Sequence, residues 1–214
     1  MNRDLTAYRK SYEKSFLEES DLPETPILLF SQWFKEVEEK GGVEETNAMT
    51  ITTTGSDGFP KARIVLLKHF DDNGFVFYTN YNSEKGKAIA YNNKVCISFF
   101  WPNLERQVIV KGVVEKIDKQ ASLKYFRSRP RGSQIGALTS NQSEIIESRT
   151  ELEKKLKSLE DEYHNKEIPM PESWGGYRIQ PIEFEFWQGR PNRLHDRIRF
   201  FIKNEDWETV RLSP

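Results

Sequence analysis

Cysteine is almost absent from this chain: Cys96 is the only one in 214 residues, so no intrachain disulfide and no cysteine-built zinc site can form. It lies inside the apolar run KVCISFFW, where a core thiol is expected. Histidine is nearly as scarce, and His69, His164 and His195 are too scattered to form a ligand-spaced pair. No segment approaches the ~20 apolar residues that span a bilayer. The opening MNRDLTAYRKSYEKSF carries charge where a secretory signal needs an apolar stretch. Charge of one sign is lacking too: 32 Lys and Arg stand against 33 Asp and Glu, which leaves no global field for nucleic acid or an anionic membrane. Neither G-x-G-x-x-G nor G-x-x-x-x-G-K-[ST] occurs, and no G-x-S-x-G marks a nucleophilic serine. These absences suggest a protein of a reducing compartment, the cytoplasm by default, whose positive potential is local.

Aromatic residues are plentiful at 13%, which supports a well-packed core. Leu5, Tyr8, Tyr12 and Phe16 recur at helical spacing, so residues 1–20 read as an amphipathic arm that docks on something. Thr25-Pro26 reads as an N-cap followed by proline at the first position of a helix with Ile27, Phe30, Trp33, Phe34 and Val37 on its apolar face, ended by Gly41-Gly42. AMTITTT, KARIVLLKHF and FVFYTN, separated by turn residues, predict a meander of three strands. A short helix capped by Ser83 follows, then strands KVCISFFW and ERQVIVKGVVEKI. Helices are expected over Gln120 to Arg127, around Gln134 to Leu138, and from about Ser143 to Asn165 with Ile145, Leu152, Leu156, Leu159 and Tyr163 along one stripe. Strands return with YRIQP, IEFEFWQ, RIRFFIK and WETVRL. The pattern is mainly β with flanking helices: a small antiparallel barrel formed by one domain over residues 21–214.

Cations are concentrated in a few places. FWQGRPNRLHDR, Phe186 to Arg197, holds three arginines, a histidine and an aspartate beside Trp187, a composition suited to an anion. In RIVLLK, strand alternation puts Arg63 and Lys68 on opposite faces, able to serve two different anions, although a buried strand with charged ends has the same pattern. Glu105-Arg106-Gln107 reads more readily as the start of an exposed strand than as a site. In SRPRGSQIGA, Arg129 and Ser133 flank a helix N-terminus, where anions are favoured, or else form a solvated turn. Arg193, His195 and Arg197 would point the same way on a strand. With no protein-only catalytic constellation, a redox cofactor is the natural source of chemistry.

RKSY, RIVLLKH, VFYTN, LERQV, YFRSRPRGSQIGA, NQS, WGGYR, FWQGRPNRLHDR and the closing RLSP together resemble the pyridoxine/pyridoxamine 5'-phosphate oxidases over essentially the whole chain. The resemblance implies an FMN-binding split β-barrel, a homodimer with the flavin at the subunit interface. It further implies oxidation of pyridoxamine or pyridoxine 5'-phosphate to pyridoxal 5'-phosphate, with oxygen reduced to hydrogen peroxide. By position, it implies an FMN site of Arg63, Ile64, Val65, Leu66, Leu67, Lys68, Tyr78, Thr79, Lys85, Gln107, Gln142, Ser143, Trp187 and Arg197. The implied substrate set is Lys68, Tyr125, Arg129 and Ser133 around the phosphate, Arg193, Leu194 and His195 at the pyridine ring, and Arg9, Lys10, Ser11 and Tyr12 folding over it. Arg193 and His195 take the catalytic role, orienting the substrate and stabilising or accepting the proton that leaves its 4'-substituent. Ser83-Glu84-Lys85 departs from the serine-arginine-lysine of many relatives, and Glu84 cannot donate to a phosphate. Other readings are a split-barrel flavoenzyme of phenazine formation, a module that holds FMN or pyridoxal phosphate without turnover, and a nucleic-acid adaptor using the basic arm.

Overall fold

The first helix opens at Pro26 as the sequence predicts, but the Thr25 side chain, expected to cap it, makes no capping hydrogen bond. α1 spans Pro26–Lys40, with Thr25 extended ahead of it and Gly41 closing it at φ 65°. Proline suits the first turn because its missing N–H is not needed there. Leu29, Phe30, Trp33 and Val37 are buried on one face, and Phe30 meets Phe99 edge-on with ring centroids 5.0 Å apart. The computed structural model describes residues 3–214; Met1 and Asn2, the first two residues of the expected arm, lie outside the described residues.

Nine strands follow: β1 Ala48–Thr54, β2 Pro60–Leu66, β3 His69–Asp71, β4 Gly74–Asn80, β5 Lys94–Trp101, β6 Arg106–Lys116, β7 Trp174–Gln188, β8 Asp196–Lys203 and β9 Asp206–Arg211. Their order in the sheet is β2-β1-β5-β6-β7-β4-β3, with β8 beside β7 and β9 beside β8. The expected three-strand meander is therefore corrected. KARIVLLKHF divides at Leu67-Lys68, where Leu67 is 4% exposed and the Lys68 amide donates to Val76 O at 2.9 Å. β4 then pairs with both β3 and β7. The four helices after α1 are α2 Glu84–Tyr91, α3 Lys119–Ser128, α4 Arg131–Thr139 and α5 Arg149–Glu162.

By contacts the chain forms two compact units, one of residues up to 50, 96–111 and 181–214, the other of 51–95 and 112–180, and the boundary falls within β1, β5, β6 and β7. The core of the first is aromatic: Trp33 meets Phe186 edge-on at 5.2 Å, and Phe186 meets Phe200 in the same manner at 5.7 Å. β8 and β9 turn through Asn204 and Glu205, both at positive φ (52° and 72°), the combination a two-residue hairpin requires. In the second unit Phe126, Ile135, Ile168 and Trp174 form a buried cluster, against which Leu156, Leu159 and Tyr163 pack from the α5 segment.

Three further expectations change. α5 begins at Arg149 rather than near Ser143, because Ser148 caps it by accepting the Glu151 amide at 3.2 Å; Ile145, assigned to its stripe, is fully exposed. The arm is largely non-helical, its helical content being the short 3-10 turn Glu19–Asp21, and Leu5, Tyr8 and Phe16 stay exposed. β8 begins at Asp196, so Arg193 and His195 precede it, and Asn192 and Arg193 take left-handed backbone at φ 57° and 62°.

Ser83 caps α2 by accepting the Gly86 amide at 3.3 Å. A Cβ on Gly86 would stand 2.1 Å from the backbone oxygen of Tyr81, a contact no side-chain movement can relieve. Gly86→Ala should cost about 2 kcal/mol or more in urea denaturation, by forced overpacking; a stability unchanged within about 0.5 kcal/mol would refute the close approach.

Candidate functional site

In the second unit two cations, Arg63 and Lys85, hydrogen-bond to neutral oxygens rather than to carboxylates. Arg63, on β2, donates from Nη1 to Thr53 Oγ1 at 2.6 Å, while its Nη2 is buried with no hydrogen-bond partner. Lys85, in the first turn of α2, is 9% exposed, and its Nζ reaches two neutral oxygens, Gln142 Oε1 at 2.8 Å and Thr79 Oγ1 at 3.2 Å. Burial and then the Arg63 charge push its pKa down, against a smaller opposing pull from Glu84. Burial likewise lowers that of Arg63. An unpaired buried guanidinium nitrogen is costly, and an anion with several acceptor oxygens would relieve that cost.

Arg129 repeats the arrangement between α3 and α4. Its Nη1 is buried and unpartnered, its guanidinium lies 4.8 Å from the Trp174 ring centroid, and burial depresses its pKa. Trp174 belongs to an aromatic stack in which Tyr78 and Tyr125 lie 3.9 Å apart and nearly parallel. Tyr78 also stacks on Trp174 at 5.5 Å. The Ser133 amide sits in the first turn of α4 and donates to Pro130 O at 2.8 Å.

Two cavities open in this unit. One of about 720 Å³ is lined by Arg63, Lys61, Lys87, Glu84 and Ser143. The other, about 470 Å³, brings together Ile64, Val65, Leu66, Lys68, Tyr78 and Thr79 with Lys85, Tyr125, Arg129, Ser133 and Gln142. Arg63 and Lys68 thus line different cavities, but strand alternation does not account for it: β2 ends at Leu66, and Val65, on the Arg63 face, lines the Lys68 cavity. Leu67 is buried and lines neither. Glu84 is held by Lys61 at 2.6 Å.

The first unit holds the remaining expected site residues. Trp187, near the end of β7, lies 4.6 Å from the His195 ring and meets Tyr12 of the arm edge-on at 5.7 Å. The Arg190 amide donates to His195 Nδ1 at 3.1 Å, which places the proton of the neutral ring on Nε2. Burial, then Arg193, lowers the His195 pKa, and Asp196 partly opposes them. Arg193 and Leu194 are exposed. Arg197 pairs opposite Trp187, and its Nε donates to Glu185 at 2.8 Å. Gln107 donates to Ser98 Oγ at 3.2 Å. Arg9 and Ser11 are exposed on the arm, and Lys10 pairs with Glu105 at 3.0 Å.

The Glu105-Arg106 reading as an exposed strand start is corrected, since both are buried at 2% and 6%. Arg106 donates to Gln188 at 2.9 Å and Glu36 at 2.6 Å and lies over the Trp33 ring. Sequence reasoning missed Glu105 and Trp174. The aromatic beside Gly175-Gly176 is a signal that could have pointed to Trp174, since a Cβ on Gly176 would stand 2.8 Å from Tyr78.

Residues 36–162 match the family model described as pyridoxamine 5'-phosphate oxidase, and residues 174–214 match the pyridoxine 5'-phosphate oxidase C-terminal dimerisation region. The chain is 61% identical over 213 residues to the pyridoxine/pyridoxamine 5'-phosphate oxidase of Flavobacterium psychrophilum, covering 99% of this chain and 100% of that one. It is 60% identical to the protein of the same name from Flavobacterium johnsoniae, covering 98% and 99%. Among solved structures it is similar to PhzG of Burkholderia lata 383, in complex with tetrahydrophenazine-1-carboxylic acid, at TM-score 0.89 and 27% identity, covering 96% of this chain and 100% of that one. The expected fold class, a mainly β split barrel with flanking helices, agrees with these likenesses.

Because folding lowers the His195 pKa, the folded protein holds fewer protons than the unfolded chain between the two values. The stability this group contributes is present above its unfolded pKa of about 6.5 and is lost as pH falls through the folded one. In an NMR titration His195 should have its midpoint below the ordinary histidine value, and Arg193→Ala should raise it. A midpoint at or above about 6.5 would contradict the burial argument.

Proposed function

The chain belongs to the pyridoxamine 5'-phosphate oxidase family, and from this we propose that it oxidises pyridoxamine or pyridoxine 5'-phosphate to pyridoxal 5'-phosphate, with FMN as cofactor and oxygen as acceptor. The observation that carries the reading is that two half-buried arginines of the second unit, Arg63 and Arg129, each have a buried guanidinium nitrogen without a hydrogen-bond partner among the described residues. They belong to separate parts of the second unit, as two phosphates, one from cofactor and one from substrate, would require. The aromatic stack of Tyr78, Tyr125 and Trp174 beside Arg129 suits flat ring systems.

The donor set fits FMN. Arg63 and Lys85 would neutralise its phosphate, with Ser143 at the same end. Thr79, Gln107 and Gln142 would bond its ring and chain, Ile64, Val65, Leu66, Leu67, Lys68 and Tyr78 would line it, and Trp187 and Arg197 would flank it. When bound, FMN would supply the two-electron acceptor for the hydride of the substrate's 4'-carbon, with oxygen and protons as the final acceptors giving hydrogen peroxide. Lys68, Tyr125, Arg129 and Ser133 would bind the substrate phosphate by charge and hydrogen bonding. Arg193, Leu194 and His195 would orient the pyridine ring, and Arg9, Lys10, Ser11 and Tyr12 would cover it. Since His195 Nδ1 is engaged by the Arg190 amide, its Nε2–H would act as a hydrogen-bond donor rather than as a proton acceptor. Fixing the reacting geometry is the main contribution of these side chains.

The match of residues 174–214 to a dimerisation region supports a homodimer, and the family resemblance would put FMN at its interface. Residues 3–20 form the described part of the arm, and we read 21–214 as one domain because four strands cross the boundary between its compact units. Among the described residues no helix is long and apolar enough to cross a membrane, and we assign the protein to the cytoplasm. The PhzG likeness keeps an enzyme of phenazine formation as a second reading; the 61% identity over almost the full chain favours the phosphate substrate.

The deciding experiment mixes the FMN-loaded protein anaerobically with pyridoxamine 5'-phosphate and then admits oxygen. The flavin absorbance should bleach and recover, with peroxide and the pyridoxal phosphate aldehyde appearing; FMN binding without bleaching would reject the substrate. Arg193→Ala and His195→Ala should each slow single-turnover flavin reduction by about 10- to 100-fold with FMN retained, the cost of misplaced geometry. Unchanged reduction in both would remove their catalytic role. Arg129→Ala should raise KM by roughly 10-fold or more at nearly constant kcat, because a remote phosphate contact is largely uniform binding. A large fall in kcat at constant KM would contradict that role.

A further inference from the structure

Glu105 combines three unusual properties. It is 2% exposed, its backbone is left-handed at φ 57° although it is not glycine, and both its carboxylate oxygens are engaged by the N-terminal arm. Oε2 accepts the amides of Glu13 at 2.9 Å and Lys14 at 3.2 Å; Oε1 meets Lys10 Nζ at 3.0 Å. Its backbone oxygen accepts the Gly189 amide at 2.8 Å. One residue therefore grips the arm with its side chain and the end of β7 with its main chain. Burial alone would raise its pKa, but Lys10 and the two amides more than reverse that, so the carboxylate is charged. A Cβ on Gly189 would stand 2.8 Å from Tyr12, so glycine is what lets the arm lie this close.

We propose that Glu105 is a positioning residue: its buried carboxylate latches the arm so that Tyr12 stays against Trp187 and His195. The latch confines an extended segment with little buried apolar surface of its own, and local hydrogen bonds of this kind set how often such a segment opens. Its consequence for turnover rests on the function proposed above. A latch acts only through what it holds, so removing Glu105 should matter little once Tyr12 is gone. A mere brace of the Trp101–Arg106 turn would matter equally with or without Tyr12.

The test uses the full-length FMN-bound protein carrying Glu105→Ala, Glu105→Gln, Tyr12→Ala and the pairwise combinations. Trypsin should cut at Arg9, Lys10 and Lys14 about 10-fold faster in Glu105→Ala, reporting a released arm, with Glu105→Gln intermediate because its amide oxygen still accepts from the backbone. KM for pyridoxamine 5'-phosphate should rise about 10-fold in the Tyr12 background and less than about 2-fold in the Tyr12→Ala background, a coupling between the two residues. Unchanged trypsin rates, or equal KM effects in both backgrounds, would overturn the latch. If Glu105→Ala fails to fold, Glu105→Gln carries the same comparison. If the parent protein does not turn over this substrate, the proposed function fails, while the proteolysis rates still decide whether Glu105 holds the arm.

Discussion

Placing positive charge inside a protein without a matching carboxylate is the constraint on which this structure turns. Such charges are tolerated when neutral oxygens hold them and a ligand completes them. Arg63, Lys85 and Arg129 satisfy that description: one bond from Thr53, two from Thr79 and Gln142, and an aromatic face from Trp174. Strands β2 and β4 and helices α2 to α4 hold these side chains in place. Gly86 lets α2 approach the turn at Tyr81, which brings Lys85 into the same unit of structure.

The other arginines show what the alternative looks like. Arg106 has Glu36, Arg197 has Glu185, Arg178 has Asp71, and Arg211 has Glu19 and Asp196. Those cations are matched within the chain and serve as ties between segments. Arg63 and Arg129 differ from these four in each keeping a buried guanidinium nitrogen without a partner among the described residues. Arg197 is both such a tie and a member of the proposed site, since its Nη1 also reaches Ser213 O and its strand neighbour is Trp187. Glu84 illustrates the converse: an acid beside the phosphate-binding cations is kept occupied by Lys61.

Much of the fold and site is legible in local chemistry. Pro26 and Ser83 announce their helices, and Arg63 and Lys68 line different cavities as two separate cations, although β2 ends between them at Leu66. The motif YFRSRPRGSQIGA brings Tyr125, Arg129 and Ser133 to one wall because two short helices meet at Pro130. Periodicity misleads where a stronger local signal competes. Ile145 fits the α5 stripe, yet Ser148, three residues before Glu151, is a better cap and starts the helix later. The arm departs from its helical spacing for a different reason. Its path is decided by Glu105, Arg190, Asp196 and Arg211, residues about 90 to 195 positions away, and no window along the sequence contains them. Glu105 itself reads as a surface acid because nothing nearby in sequence predicts a buried left-handed turn.

Arg211 carries a last consequence for how the molecule opens. Its guanidinium bonds Leu17 O at 2.9 Å, Glu19 at 2.5 Å and Asp196 at 2.8 Å, and Asp196 in turn accepts the Leu17 amide at 3.1 Å. The Leu212 amide beside it closes on Arg197 O. The Leu17–Glu19 segment and the last strand are thus fastened at a single knot, so neither can open alone. Amides of these two segments belong to one cooperative unit. Two stretches far apart in sequence are here each other's restraint.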